Sequence, residues 1–187
     1  MSKHRLLIAD FIVSVEARRD RSGKLRVYPL PPADGGGSYE VAGINDRFHP
    51  VAAQYLRSLV TSKKFNEAEA YIRNYLAEYT DIVNKWTTNP AVEAFLRDCV
   101  FNRGPSGALR ILQLALGVAD DGRFGPKTKA ALQKALANPG ELLNSLRNAR
   151  EQYEIRIAPP VGARKKFWKG LVNRWDKALR FAQSFLK

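Results

Sequence analysis

Three carboxylates stand out by type and position. Glu16 ends an apolar stretch, and Asp34 and Glu40 flank three consecutive glycines in PPADGGGSYEVAGIND, residues 31–46. Such a set can hydrolyse a glycosidic bond. One carboxyl group, kept protonated in a partly apolar setting, gives its proton to the leaving oxygen, while a second, ionised, acts as base or nucleophile across the sugar. Glu16 suits the first role, and Asp34 or Glu40 the second. Glycines between them let backbone approach a polymer closely. A plainer reading of the same residues stays open, with Glu16 as a solvated helix end, Asp34 as a turn former and the glycines as a hairpin tip.

Other chemistries find less support. His4 and His49 are too few and too isolated for a metal site, and His49-Pro50 reads as the approach to a helix. Ser14, Ser38 and Thr128 have no His and Asp partners at local spacing, which argues against a serine hydrolase. The glycine-rich loop has no following Lys-Ser or Lys-Thr, so it is not a phosphate-binding P-loop. Cys99, the single cysteine, sits in the helical-looking VEAFLRDCVF and reads as a buried thiol. Glycosidic hydrolysis needs only carboxylates and water, so no cofactor and no metal are expected.

The elements that must position these groups are mostly helical. Leu7, Ile8, Phe11, Ile12 and Val15 recur at helical spacing and define a first helix that ends near Glu16 to Arg19. The next segment breaks that period with Gly and Pro and holds two β-prone pieces, KLRVY and SYEVA, which predict a small β-hairpin lobe over about residues 20–46. Helical patterns then run almost to the end. Asn66 with Glu69 is a candidate cap for the third helix. Asn89 with Pro90 at the first helical position starts another, PSGALRILQLALG stops at Gly117, and three further amphipathic segments follow. The fold class is therefore mainly α with one small β-lobe after the first helix. No Gly/Ser/Pro linker separates residues 1–100 from 101–187, so the two parts are expected to pack into one body.

Charge narrows the partners. Thirty-one Lys and Arg against eighteen Asp and Glu give +13, which suits an anionic partner such as nucleic acid, membrane headgroups or cell envelope. From Val161 onward Arg164, Lys165, Lys166, Lys169, Arg174, Lys177, Arg180 and Lys187 face a single acid, Asp176, with aromatic residues interleaved. This reads as a last helix packing its aromatic face on the bundle, or as a basic face for anionic envelope or membrane lipid. Tyr28 and Tyr39, in the lobe itself, are better placed for sugar contact than Trp86, Trp168 or Trp175. The apolar N-terminal patch is interrupted by Asp10 and Glu16 and lacks a small-residue cleavage site, so no signal peptide is expected. No apolar run approaches the roughly 18 residues that span a bilayer, and a soluble chain is expected.

Two strings of residues carry a family resemblance. A first helix ending in Glu16, followed by Pro32, Ala33, Asp34, Gly36, Gly37, Gly43 and Ile44, resembles the glycoside hydrolase family 108 muramidases found among phage endolysins and secretion-associated lysozymes. Ala17 and Arg18 stand where that family has two glycines, and Ser38 or Tyr39 where it has Thr. Residues 108–132, with Leu112-Gln113, Ala115-Leu116-Gly117, Asp121-Gly122, Phe124-Gly125-Pro126, Thr128 and Ala131-Leu132, look like the peptidoglycan-binding region that accompanies these enzymes, and Asn102-Arg103-Gly104 resembles the segment that opens it. Most of these residues also suffice to form a helix-turn-helix corner.

The resemblance implies a lysozyme-like helical bundle that cleaves the β-1,4 bonds of peptidoglycan glycan strands. Glu16 would be the general acid, Asp34 the leading second carboxylate and Glu40 its alternative, with Tyr28, Gly36, Gly37, Ser38, Tyr39 and Asn102 contacting substrate. Together with the expected lack of a signal peptide, it implies synthesis in bacterial cytoplasm and action in the periplasm or wall after release, and a monomer is expected. The alternatives are a chitosanase-like glycosidase, given the Glu-Ala-Arg-Arg surroundings, and a non-catalytic wall-binding or basic nucleic-acid-binding protein. No recognisable nucleic-acid reader accompanies the charge, so no nucleic-acid partner is expected.

Overall fold

The computed structural model describes residues 2–31 and 37–186. Asp34 and Gly36 lie outside them. The chain divides into two compact units, Met1–Glu78 and Tyr79–Lys187. Residue 100, where the sequence suggested a division, lies within a helix of the second unit.

The first unit holds α1 (Lys3–Glu16), three short strands, α2 (Pro50–Thr61) and α3 (Phe65–Tyr79). Ser2 caps α1 by accepting from the Arg5 N–H, and the helix buries Ile8, Ala9, Ile12 and Val13 on one face. The predicted hairpin gains a third strand. β1 (Tyr28–Pro29), β2 (Tyr39–Val41) and β3 (Ile44–Asn45) form an antiparallel sheet in sequence order, with Tyr28 opposite Glu40 and Glu40 opposite Asn45. Only Tyr28 of KLRVY enters a strand, whereas Leu25 makes an isolated bridge to Arg19. Val41 and Ile44 are fully buried, and α2 packs on β2 and β3. Pro90 and Pro50 both take first helical positions, where a missing N–H costs nothing.

The expected cap at Asn66 is not formed. Helix α3 begins one residue earlier, at Phe65, after Lys63 in the left-handed region, so Asn66 lies inside the helix and Glu69 turns to Arg19 instead. A distant guanidinium outcompetes a local backbone N–H for that carboxylate.

In the second unit a 3-10 turn (Asp81–Lys85) precedes α4 (Pro90–Ala115), α5 (Pro126–Ala135), α6 (Pro139–Ile157) and α7 (Lys165–Gln183). Asn89 caps α4 by accepting from the Ala91 and Val92 N–H groups. Gly104, at φ 66°, and Pro105 break α4 where the sequence places the junction of two helices. It ends in a Schellman turn, in which Val118 N–H donates to Gln113 C=O and Gly117 N–H, at φ 66°, to Leu114 C=O. Helices α6 and α7 pack on α4 and on each other. Cys99 is fully buried there, and burial pushes its thiol pKa up to about 12.

Charged groups stitch these three helices together. Asp98 on α4 is fully buried and accepts from Arg150 of α6 at 2.5 Å and Arg174 of α7 at 2.8 Å. Desolvation works against this carboxylate's charge, but the two guanidinium groups outweigh it and hold its pKa below the ordinary value. The Arg150 guanidinium also lies 6.0 Å from the centre of the Phe95 ring and 5.9 Å from that of Trp175. Glu154 pairs with Arg103 and, at 2.7 Å, with Arg164. Two of the cations counted as a basic C-terminal surface, Arg164 and Arg174, are therefore internal partners.

Candidate functional site

Glu16 is the final residue of α1 and is half-buried. The chain leaves it through Ala17, whose N–H still donates to Val13 C=O at 2.8 Å.

From there a small hairpin leads into the β-lobe. Arg26 N–H donates to Arg18 C=O at 3.0 Å and Asp20 N–H to Lys24 C=O at 2.9 Å. The Asp20 carboxylate closes the turn by accepting from Ser22 and Lys24, and the Lys24 N–H and the Ser22 hydroxyl keep its pKa below the usual carboxylate value. Arg19 holds the hairpin to α3 with a two-pronged contact to Glu69 at 2.5 and 3.2 Å. Its neighbour Arg18 covers the Tyr28 ring at 4.9 Å. Tyr28 is the cross-strand partner of Glu40, so the hairpin that follows Glu16 and the strand that carries Glu40 are joined through one arginine and one tyrosine.

The glycine loop is anchored at its exit. Leu30 N–H donates to Ser38 C=O at 2.9 Å, which draws the two ends of the segment 31–37 together. Asp46 then accepts from the backbone N–H of Ser38 at 2.7 Å and of Tyr39 at 3.3 Å. Desolvation opposes its charge, but these donors prevail and its pKa is lowered. Gly37 has φ 105°, and a Cβ there would stand 2.1 Å from the Asp46 carboxylate. Tyr39 has its ring covered by Arg57 of α2 at 4.8 Å. It lines an open hydroxyl-rich groove with Gln54, Ser58, Thr61 and Ser62.

The structure thus gathers Tyr28, Gly37, Ser38, Tyr39 and Glu40 into one lobe, in the same unit as Glu16. Asn102 belongs to the second unit, where its side chain donates to Asp98 C=O at 2.9 Å, four residues back on α4. Asp46, Arg18, Arg19 and Arg57 are the positioning residues that sequence reasoning missed. Only Asp46, an Asx residue just after Gly43-Ile44-Asn45, carried a local signal for turn formation. His49 donates to or accepts from the Tyr75 hydroxyl at 2.9 Å, and burial lowers its pKa. Among the described residues no cluster of three or more His, Cys, Asp or Glu could hold a metal ion.

In the second unit the string around Gln113 forms a latch. Buried Gln113 donates from Nε2 to Asp121 at 2.8 Å, Arg123 C=O at 3.0 Å and Thr128 at 3.1 Å, and accepts from Gly122 N–H at 2.8 Å. Gly122 sits at φ 74° with Ser106 and Arg110 close by. These residues build the corner between α4 and α5, as the plainer sequence reading expected.

Residues 107–176 match a family model described as a predicted peptidoglycan domain. That span runs from the second half of α4 to Asp176 of α7. Among solved structures, SagA of Brucella abortus shares the fold with a TM-score of 0.62 over 96% of this chain and 95% of that one, at 22% identity. No curated protein sequence matches the chain.

Proposed function

We propose that the protein is a peptidoglycan-directed glycan hydrolase of the muramidase type, with Glu16 as general acid. The observation that carries this reading is the pairing, in one chain, of a half-buried helix-end carboxylate that leads into a carboxylate-bearing β-lobe with a segment that matches a predicted peptidoglycan domain. Glu16 would protonate the glycosidic oxygen of the leaving sugar. Asp34 or Glu40 would act as the ionised partner, as base toward water or as nucleophile toward the anomeric carbon. The groove beside Tyr39 offers hydroxyls suited to a sugar chain, with Arg57 over the Tyr39 ring, and Tyr28 keeps Glu40 in register. Residues 107–176 would hold the enzyme on the wall.

The test is product analysis. Purified peptidoglycan treated with wild type should yield muropeptides with new reducing ends, while folded Glu16→Gln should yield fewer by about a hundredfold or more, the scale of losing a general acid. Asp34→Asn and Glu40→Gln, assayed alongside, identify the second carboxylate as the one whose loss is as deep. Fragments cut between sugar and peptide, or turnover of soluble chitosan without turnover of walls, would overturn the muramidase assignment.

A further inference from the structure

The stretch between Glu154 and Asp176 holds six Lys and Arg and no acid. Its basic residues divide into two groups. Arg156 pairs with Asp120 at 2.5 Å, Arg164 with Glu154 and Arg174 with Asp98, so these three are occupied within the unit. Lys165, Lys166 and Lys169 are exposed, and with Lys177 and Arg180 they follow helical spacing along one side of α7, opposite the buried Trp175, Ala178 and Ala182.

Beside this cationic stripe the molecule exposes apolar side chains. Ile155 and Ile157 end α6 at 45% and 48% exposure, Val161 in the connection reaches 68%, and Phe167 in the first turn of α7 reaches 55%. Four of the large hydrophobic residues left in water therefore cluster between residues 155 and 167, where the lysines begin. Lys166 even lies over the Phe167 ring at 5.0 Å. A soluble phosphate polymer would be served by the cations alone. Exposed apolar side chains followed along the chain by exposed lysines fit a surface that is anionic outside and hydrocarbon beneath.

We propose that the α6–α7 turn docks the protein on an anionic phospholipid bilayer, with Val161 and Phe167 entering the acyl boundary and Lys165, Lys166 and Lys169 meeting headgroup phosphates. This is peripheral attachment, and no described helix is long and apolar enough to cross a membrane. The proposal does not depend on Glu16 or on hydrolysis.

Full-length protein sedimented with vesicles tests it. Wild type should bind vesicles of equal phosphatidylglycerol and phosphatidylcholine, and pure phosphatidylcholine at least tenfold more weakly. Val161→Ser with Phe167→Ser should lose about tenfold or more of that binding by removing buried apolar area. Lys165→Ser, Lys166→Ser and Lys169→Ser together should lose about a hundredfold, since each lysine near such a surface contributes about fivefold. All five positions are exposed, and circular dichroism of each variant checks the fold. Equal binding to both vesicle types overturns the proposal. So does a Val161/Phe167 variant that binds as wild type while the lysine variant fails, which would reveal a face for a soluble polyanion. Loss of binding to purified peptidoglycan in the Val161/Phe167 variant, with vesicle binding intact, would assign the turn to the wall.

Discussion

At the residue scale, the glycine loop depends on one close approach. Gly37→Ala forces a Cβ against the Asp46 carboxylate at a positive φ, so either the turn strains or Asp46 releases the Ser38 and Tyr39 N–H groups. We expect a loss of about 2 kcal/mol in denaturant unfolding, combining local strain with a lost anchor. Gly23→Ala is the control, because Gly23 also has a positive φ but nothing lies within reach of its Cβ, and about 1 kcal/mol is expected. Equal costs at the two sites would show that Asp46 is not the cause. His49 gives a pH prediction. Its folded pKa is lowered by burial, so the unfolded chain takes up a proton first as pH falls below the ordinary value near 6.5. Stability should be complete above that pH and decline below it, and His49→Gln should flatten the fall in Tm between about pH 7.5 and 5.5. A profile unchanged by the substitution would place the acid sensitivity elsewhere.

At the scale of elements, local rules were legible and long-range pairings were not. Asn89, Pro90, Gly104-Pro105 and Gly117 act within a few residues of themselves, and the sequence shows where each helix starts or stops. Asn66 failed because Glu69 has a better partner at Arg19, fifty residues away, and nothing in the local pattern announces it. The same holds for Asp98 with Arg150 and Arg174. As letters, these are three ordinary charges on helical faces, and Arg174 reads as part of a basic surface. The lobe's third strand was hidden because its strands are two or three residues long, too short for a period of two to show.

Two predictions belong to this scale. Asp98→Asn leaves two guanidinium groups in the second unit short of a counter-charge, and should cost about 3–5 kcal/mol, measured by urea unfolding. A cost below about 1 kcal/mol would contradict the network's role. Gln113→Leu keeps volume but abandons four hydrogen bonds of the corner, and about 2–4 kcal/mol should be lost, with faster hydrogen exchange at the Gly122 amide. Unchanged exchange would mean that the corner is held by its backbone alone.

At the scale of the whole molecule, charge and chemistry are separable. A net charge of +13 should make attachment to anionic envelope fall as ionic strength rises from about 50 to 500 mM, since exposed charges are screened over a few ångströms at the upper end. Hydrolysis, if Glu16 is its acid, should be abolished without that attachment changing. The decisive measurement is therefore made on purified peptidoglycan with wild type and Glu16→Gln side by side, recording both bound protein and newly formed reducing ends. We expect equal binding of the two proteins and reducing ends from wild type alone. Reducing ends released equally by both, or by neither while both bind, would contradict it.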